Sequence, residues 1–141
     1  MIDGGKNNQV TKVGSGFDVH EFEDGDSIKL FGIKMQFNKK LKGHSDADVG
    51  LHALTDAILG AIGKGDIGEH FPPSDLKWKN KSSEIFLLYS KKLMDENGYK
   101  INNIDITLIC EKPKISKYKI KFKKNISSLL NIEPQDVNVK A

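Results

Sequence analysis

Apolar residues recur three and four apart over residues 45–63, where Leu54, Ala57, Ile58, Ala61 and Ile62 would share one face of a helix. Ser45 stands where an N-cap is expected, Asp48 holds a capping-box-like position three residues on, and Gly63 marks the stop. The same period returns over residues 82–98, through Ile85, Phe86, Leu88, Tyr89 and Leu93, with Ser82 or Ser83 as cap and Gly98 as terminator. A third helix carries Tyr118, Phe122, Ile126, Leu129 and Leu130. Elsewhere the pattern shortens towards alternation. Residues 10–20 read as a strand containing Val13 and Phe17; Ile28, Leu30, Ile33, Met35 and Phe37 read as a hairpin about Phe31-Gly32. Ile101, Ile104, Ile106, Leu108 and Cys110 alternate in a further strand, and residues 136–141 begin another.

Between these elements lie polar stretches. Residues 1–9 predict a disordered N-terminal segment, residues 21–26 an acidic turn and residues 38–43 a basic loop. Residues 63–81 form a long loop rich in glycine and proline, a length that in a compact domain points to function. The order of elements predicts one α+β domain over residues 10–141, a mixed four-stranded sheet with helices on one face.

Composition narrows the class. The chain of 141 residues is 38% hydrophobic and 29% charged, as soluble domains are, and one cysteine excludes a disulfide framework. No apolar run approaches a membrane span and no secretory signal is evident, so the expected location is the cytoplasm, or a plastid-type stroma if a presequence was removed. Residues 1–75 carry eight lysines against twelve acids, and residues 76–141 fourteen against seven. Every basic residue other than histidine is lysine. Phosphate recognition must therefore use lysines, backbone amides, hydroxyls or metal ions, without arginine forks. The lysines are dispersed without aromatic platforms, which argues against a nucleic-acid partner.

Candidate chemistry gathers on three histidines. Asp18 and His20 are two apart on the first strand and would face the same way. His52 lies between Asp48 and Asp56 on a polar helix stripe, four residues from each. Asp18, His20 and His52 would supply one oxygen and two nitrogens to a metal and leave a position open, as in a catalytic zinc site. An isolated D-x-H pair and an acidic helix start also occur on ordinary exposed surfaces, so residue types leave both readings standing. His44 and Ser45 stand at the expected helix N-terminus, where unpaired amides attract anions; a capping serine beside an exposed histidine is the plainer alternative. His70 reads as a solvated loop residue.

Three blocks carry a further resemblance: G-F-D-V-H at residues 16–20, H-S-D-A-D-V-G-L-H-A-L-T-D-A at 44–57 and G-D-I-G-E-H-F-P-P-S-D at 65–75. With I-D-I-T-L-I-C-E-K-P-K and D-V-N-V-K-A further on, the chain resembles the 2-C-methyl-D-erythritol 2,4-cyclodiphosphate synthase family of the non-mevalonate isoprenoid pathway. The resemblance implies cyclisation of 4-diphosphocytidyl-2-C-methyl-D-erythritol 2-phosphate with release of CMP, a phosphoryl transfer that needs no protein nucleophile. It implies zinc on Asp18, His20 and His52, and magnesium or manganese bridging the diphosphate. His44, the catalytic candidate, and Ser45 would hold the phosphates, and Val19 would line the site between the metal ligands. Asp66, Ile67, Gly68, Phe71, Pro72, Pro73, Ser74 and Asp75 would border the methylerythritol moiety. Cys110, Glu111, Lys112, Pro113, Lys114, Ile115 and Ser116 would form the cytidine pocket.

The resemblance further implies a homotrimer, with three sheets packed about an axis and active sites between subunits. Phe17 would face a central cavity able to hold an isoprenoid diphosphate. Two departures stand out. Pro73 occupies a place where many relatives carry an acid, and the Thr-Thr-x-Glu segment and glycine-rich final helix that follow D-V-N-V-K-A in the family are not in this sequence. A zinc hydrolase and a non-catalytic trimeric binding module are the rival classes; the absence of an H-E-x-x-H pattern counts against the first.

Overall fold

The computed structural model describes residues 9–141, so the expected disordered segment lies outside the described residues except for Gln9. Its centre is helix α1 (Val49–Ala61), whose Leu51, Leu54, Ile58 and Leu59 are buried. The helix packs against α3 (Glu84–Glu96), which buries Phe86, Leu87 and Met94. Each such side chain contributes about 1.5–3 kcal/mol by leaving water. Gly98, at φ 78°, ends α3 in the left-handed conformation that its sequence predicts.

The hairpin forms where alternation places it. β1 (Phe22–Asp24) precedes β2 (Ser27–Leu30), which pairs antiparallel with β3 (Ile33–Gln36). Phe31 and Gly32 both have positive φ, 49° and 78°, as a primed two-residue turn requires. The acidic turn and basic loop are corrected by the structure. They contain β1 and β4 (Lys39–Leu41), paired antiparallel with Glu23 opposite Lys40 and Asp24 opposite Lys39. Cross-strand ion pairs of 3.3 and 3.1 Å accompany this register, so complementary charge marks the ladder where apolar alternation is too short to do so.

A four-residue helix α2 (Ile67–His70) and a 3₁₀ turn (Leu76–Trp78) structure the long loop before α3. The chain then passes through β5 (Ile104–Thr107) and α4 (Lys119–Leu130) to β6 (Val137–Lys140), which runs parallel to β5 as a helical crossover demands. The α+β single domain therefore stands, but the expected four-stranded sheet does not. The described strands make three two-stranded ladders, because alternation reports which face a residue takes and says nothing of which edge accepts its hydrogen bonds.

The strand expected at residues 10–20 is also corrected. This segment runs without a ladder and leaves Val13, Phe17 and Val19 at 89%, 78% and 70% exposure. It lies along α1, with Gly14 and Gly16 so close that a Cβ would sit 1.8 Å from the carbonyl oxygens of Ala57 and Ala53. Only glycine permits that approach. The contact lays the following residues, Asp18 and His20, beside the N-terminal half of α1.

Candidate metal and phosphate site

The helix start differs from its expected form, and the difference shapes the site. Asp48, not Ser45, is the N-cap, accepting from the amide of Leu51 at 3.0 Å. Its carboxylate also accepts from the amides of Phe31 and Gly32, at 2.9 and 2.7 Å, so it ties the hairpin turn to α1. Asp48 is fully buried, and burial pushes its carboxyl up to about 6 against the pull of these three amides. The positive end of the helix is thus already occupied by a protein carboxylate. His44 and Ser45 lie upstream, separated from the helix by a turn in which Ala47 adopts φ 56°. His44 is exposed, and its carbonyl accepts from the Asn80 amide at 2.8 Å.

Asp18, His20 and His52 do converge. Asp18 Oδ2 lies 2.9 Å from His20 Nε2 and 3.2 Å from His52 Nδ1, with one ligand atom from each residue within 4.8 Å of the others. They share a face although the predicted strand is absent, because extended backbone alone places residues i and i+2 together. Burial would raise the Asp18 carboxyl, but hydrogen bonds to both histidines outweigh it and hold it well below the usual carboxylate range. The Asp18 hydrogen bond raises His20, with burial opposing and the Lys42 carbonyl assisting.

Hydrogen-bond partners on the far side of each ring decide which nitrogen faces inward. His20 Nδ1 lies 2.7 Å from the carbonyl of Lys42, which can only accept, so Nδ1–H donates and Nε2 is the nitrogen facing Asp18, a donor to it when the ring is protonated and a free lone pair when it is neutral. His52 Nε2 lies 2.7 Å from Ser83 Oγ and 3.2 Å from Ser45 Oγ, leaving Nδ1 to face the same point. With both rings neutral, two imidazole lone pairs and a carboxylate oxygen face one point, where either a proton, as in the hydrogen bonds above, or a metal cation offsets their repulsion. The donor set therefore fits a bound metal, and it is the one such cluster among the described residues.

The other expected site residues are distributed around this centre. Asp56 accepts from the Ile67 amide at 2.8 Å and so fastens the long loop to α1, a structural role for the end of the polar stripe. Asp66 caps α2, accepting from Glu69 N at 2.9 Å, and Gly68 is exposed. Phe71 is buried against Phe86, Trp78 and Tyr89, anchoring a loop whose Pro73 and Ser74 are exposed. Asp75 caps the 3₁₀ turn through the Lys77 amide, at 3.1 Å. His70 is not merely solvated: its Nε2 contacts the Lys64 carbonyl at 2.6 Å and its ring packs on Tyr89. Residues 110–116 stand apart, and no hydrogen bond among the described residues joins them to the metal cluster. Within them Ile115 is buried and Cys110, Glu111, Lys112, Lys114 and Ser116 are exposed. An open cleft of about 500 Å³ at their start is lined by Leu108, Ile109, Cys110 and Glu111.

Sequence reasoning missed two groups. Asp46 and Ser83 join the metal-ligand helix to α3 and stand behind His52. Lys29, Lys34 and Lys40 line a cleft of about 520 Å³ that borders Gly43 and Ser45, together with Glu23 and Asp46, which pair with Lys40 and Lys29. Neither group had a sequence signal, since lysines on short strands and a capping serine are ordinary.

Comparison with known proteins places this arrangement. The YgbB family profile matches residues 11–141. The chain is 52% identical over 130 residues to the "Bifunctional enzyme IspD/IspF" of Erythrobacter litoralis, covering 92% of this chain and 34% of that protein. It thus spans about a third of the length of such curated relatives. A solved structure of 2C-methyl-D-erythritol-2,4-cyclodiphosphate synthase superposes with a TM-score of 0.86 at 33% identity, covering 92% of this chain and 86% of the other. The Plasmodium falciparum IspF complex with CDP superposes with a TM-score of 0.79 at 38% identity, covering 92% and 79%.

Proposed function

The chain belongs to the YgbB family, and from that premise we propose that it cyclises 4-diphosphocytidyl-2-C-methyl-D-erythritol 2-phosphate to 2-C-methyl-D-erythritol 2,4-cyclodiphosphate with release of CMP. The observation that carries this reading is the convergence of His20 Nε2, His52 Nδ1 and Asp18 Oδ2 beside a cleft lined by lysines. An oxygen of the substrate's 2-phosphate attacks the β-phosphorus, the bond from that phosphorus to the bridging oxygen breaks, and CMP leaves with the bridging oxygen. Charge must be neutralised and the reacting groups aligned, while no covalent bond to the protein forms.

A two-nitrogen, one-oxygen donor set suits zinc, which supplies Lewis-acid stabilisation of phosphate charge when bound. The chain's own residues do the rest. His44 and Ser45 hold the phosphates from the loop above the metal ligands, with Val19 lining the site and Lys34 adding positive charge in the neighbouring cleft. A second divalent ion, magnesium or manganese, bound with the substrate would add to the same charge neutralisation. Asp66, Ile67 and Gly68, with residues 71–75, border the sugar, and residues 110–116 receive the cytidine of the substrate bound to a neighbouring copy in a homotrimer. The CDP in the Plasmodium falciparum complex supports a cytidine nucleotide as ligand. Exposed Val13, Phe17 and Val19 support a surface that another copy covers.

Incubation of purified protein with the diphosphocytidyl substrate, zinc and magnesium tests the proposal. CMP and cyclic diphosphate should appear in equal amounts. A linear phosphate product would identify a hydrolase instead.

A further inference from the structure

Ser83 occupies the N-cap of α3, where a serine ordinarily accepts from an amide one turn in, yet its side chain makes no capping hydrogen bond. It is fully buried. Its hydroxyl instead lies between two groups from other elements, the carboxylate of Asp46 and His52 Nε2. Asp46 also accepts from the Ser83 amide at 3.1 Å and from the Asp48 amide at 3.2 Å, and it pairs with Lys29 at 3.2 Å. Burial favours a neutral Asp46, but the Ser83 hydroxyl and amide, the Asp48 amide and Lys29 outweigh it and keep the carboxyl low, so it is ionised and can only accept.

The shortest contacts of this network decide where its protons lie. The single hydroxyl proton of Ser83 goes to Asp46. The Ser83 oxygen must then accept; the Ser45 hydroxyl stands 3.4 Å away, but the shorter contact, 2.7 Å to His52 Nε2, needs a proton between its two atoms, so Nε2–H donates. His52 is thereby held as the tautomer whose Nδ1 carries the lone pair facing Asp18 and His20. Ser45 Oγ, 3.2 Å from the same Nε2, is a longer second acceptor and preserves the same tautomer.

We propose that Ser83, oriented by Asp46, is a positioning residue that fixes the ring angle and tautomer of the metal ligand His52. The inference rests on the metal-site reading above. It makes the second helix of the core part of the metal centre, so that affinity is set partly by a residue that never touches the ion. Outer partners of ligating histidines typically change metal affinity about 10–100-fold.

The test uses the purified full chain stripped of metal, with zinc affinity measured by competition against a chromophoric chelator and cobalt(II) absorption as a second probe. Ser83→Ala should bind zinc about 10–100-fold more weakly than wild type and alter the cobalt spectrum, while metal-free melting falls only modestly, since Asp46 keeps two amides and Lys29 as partners. Asp46→Asn, which keeps size but removes charge, should also weaken binding. Wild-type affinity in Ser83→Ala would overturn the role of Ser83, and wild-type affinity in Asp46→Asn would overturn that of Asp46. Should Ser83→Ala fail to fold, nitrogen NMR of His52 in the zinc-loaded wild type carries the test: a protonated Nε2 and a metal-bound Nδ1 are expected, and the reverse overturns the inference. His52→Ala separates this from the underlying reading, since zinc retained in that variant, or no zinc bound by wild type, would remove the metal site itself.

Discussion

The metal cluster and the segment around residues 107–116 are opposite kinds of surface within one small domain. At the cluster, three side chains from two segments meet within 4.8 Å, and the far nitrogen of each histidine already has a partner. Around residues 107–116, Ile109 is 89% exposed, most of the polar groups face solvent and no cluster of polar side chains converges. The first region must hold a carboxylate and two imidazoles at one point, so it is built from buried or half-buried hydrogen bonds. The second has little to hold and lacks the packing that would close it. Under the proposed function, the cluster would organise charge neutralisation within one chain, whereas the open segment would need cover from another surface to hold a nucleotide.

The sharpest way to break that comparison is His52→Ala. Metal analysis should fall from about one zinc per chain to none while the fold persists, because His52 lies beside the core instead of filling it. Asp48→Ala comes next and tests the frame behind the cluster. It strands three amides, two at the hairpin turn and one at the helix start, and should cost on the order of 3–5 kcal/mol in chemical denaturation. Denaturation that matches wild type would show that the buried carboxylate is dispensable.

His44→Gln probes the rim of the same region. Turnover should drop about a hundredfold with zinc content unchanged, and KM should move less than kcat. Wild-type turnover would return His44 to plain surface.

A milder effect separates proton from metal at the cluster. In metal-free protein, ionised Asp18 with protonated His20 stabilises the fold between about pH 4 and 6.5. That contribution disappears as pH falls through the lowered Asp18 value and as pH rises through the raised His20 value. Asp48, raised to about 6, likewise loses its contribution as pH climbs from about 4 through 6. Metal-free melting temperature should therefore decline from pH 5 to 8 at the cluster's expense while zinc affinity increases, since zinc displaces the same proton. Parallel slopes would break the account.

The smallest effect sharpens the other side of the comparison. Ile109→Ser should change the chain's own stability by less than about 0.5 kcal/mol, because the side chain touches little. It should nevertheless weaken self-association in sedimentation if a second copy covers this edge; unchanged association would leave the segment an ordinary surface.

Periodicity alone located all three long helices and the Phe31-Gly32 hairpin, because a helix or a turn is set by residues a few positions apart. The metal-capable trio was only half legible: D-x-H and a histidine on a polar stripe are local patterns that left two readings standing, and the structure brought Asp18, His20 and His52 within 4.8 Å. What only the tertiary structure decided is where separated segments meet. Asp48 became the cap because its carboxylate reaches back seventeen residues to Phe31 as well as forward to Leu51. The charged strands β1 and β4 found each other across a hairpin, and residues 10–20 gave up a ladder to lie on α1 through Gly14 and Gly16. Ser83 looked like a helix cap, and its hydroxyl was taken by Asp46 and His52 instead. A hydrogen-bonding group has few valences, and once folding brings a charged partner within reach, that partner outcompetes the local one that the sequence advertises.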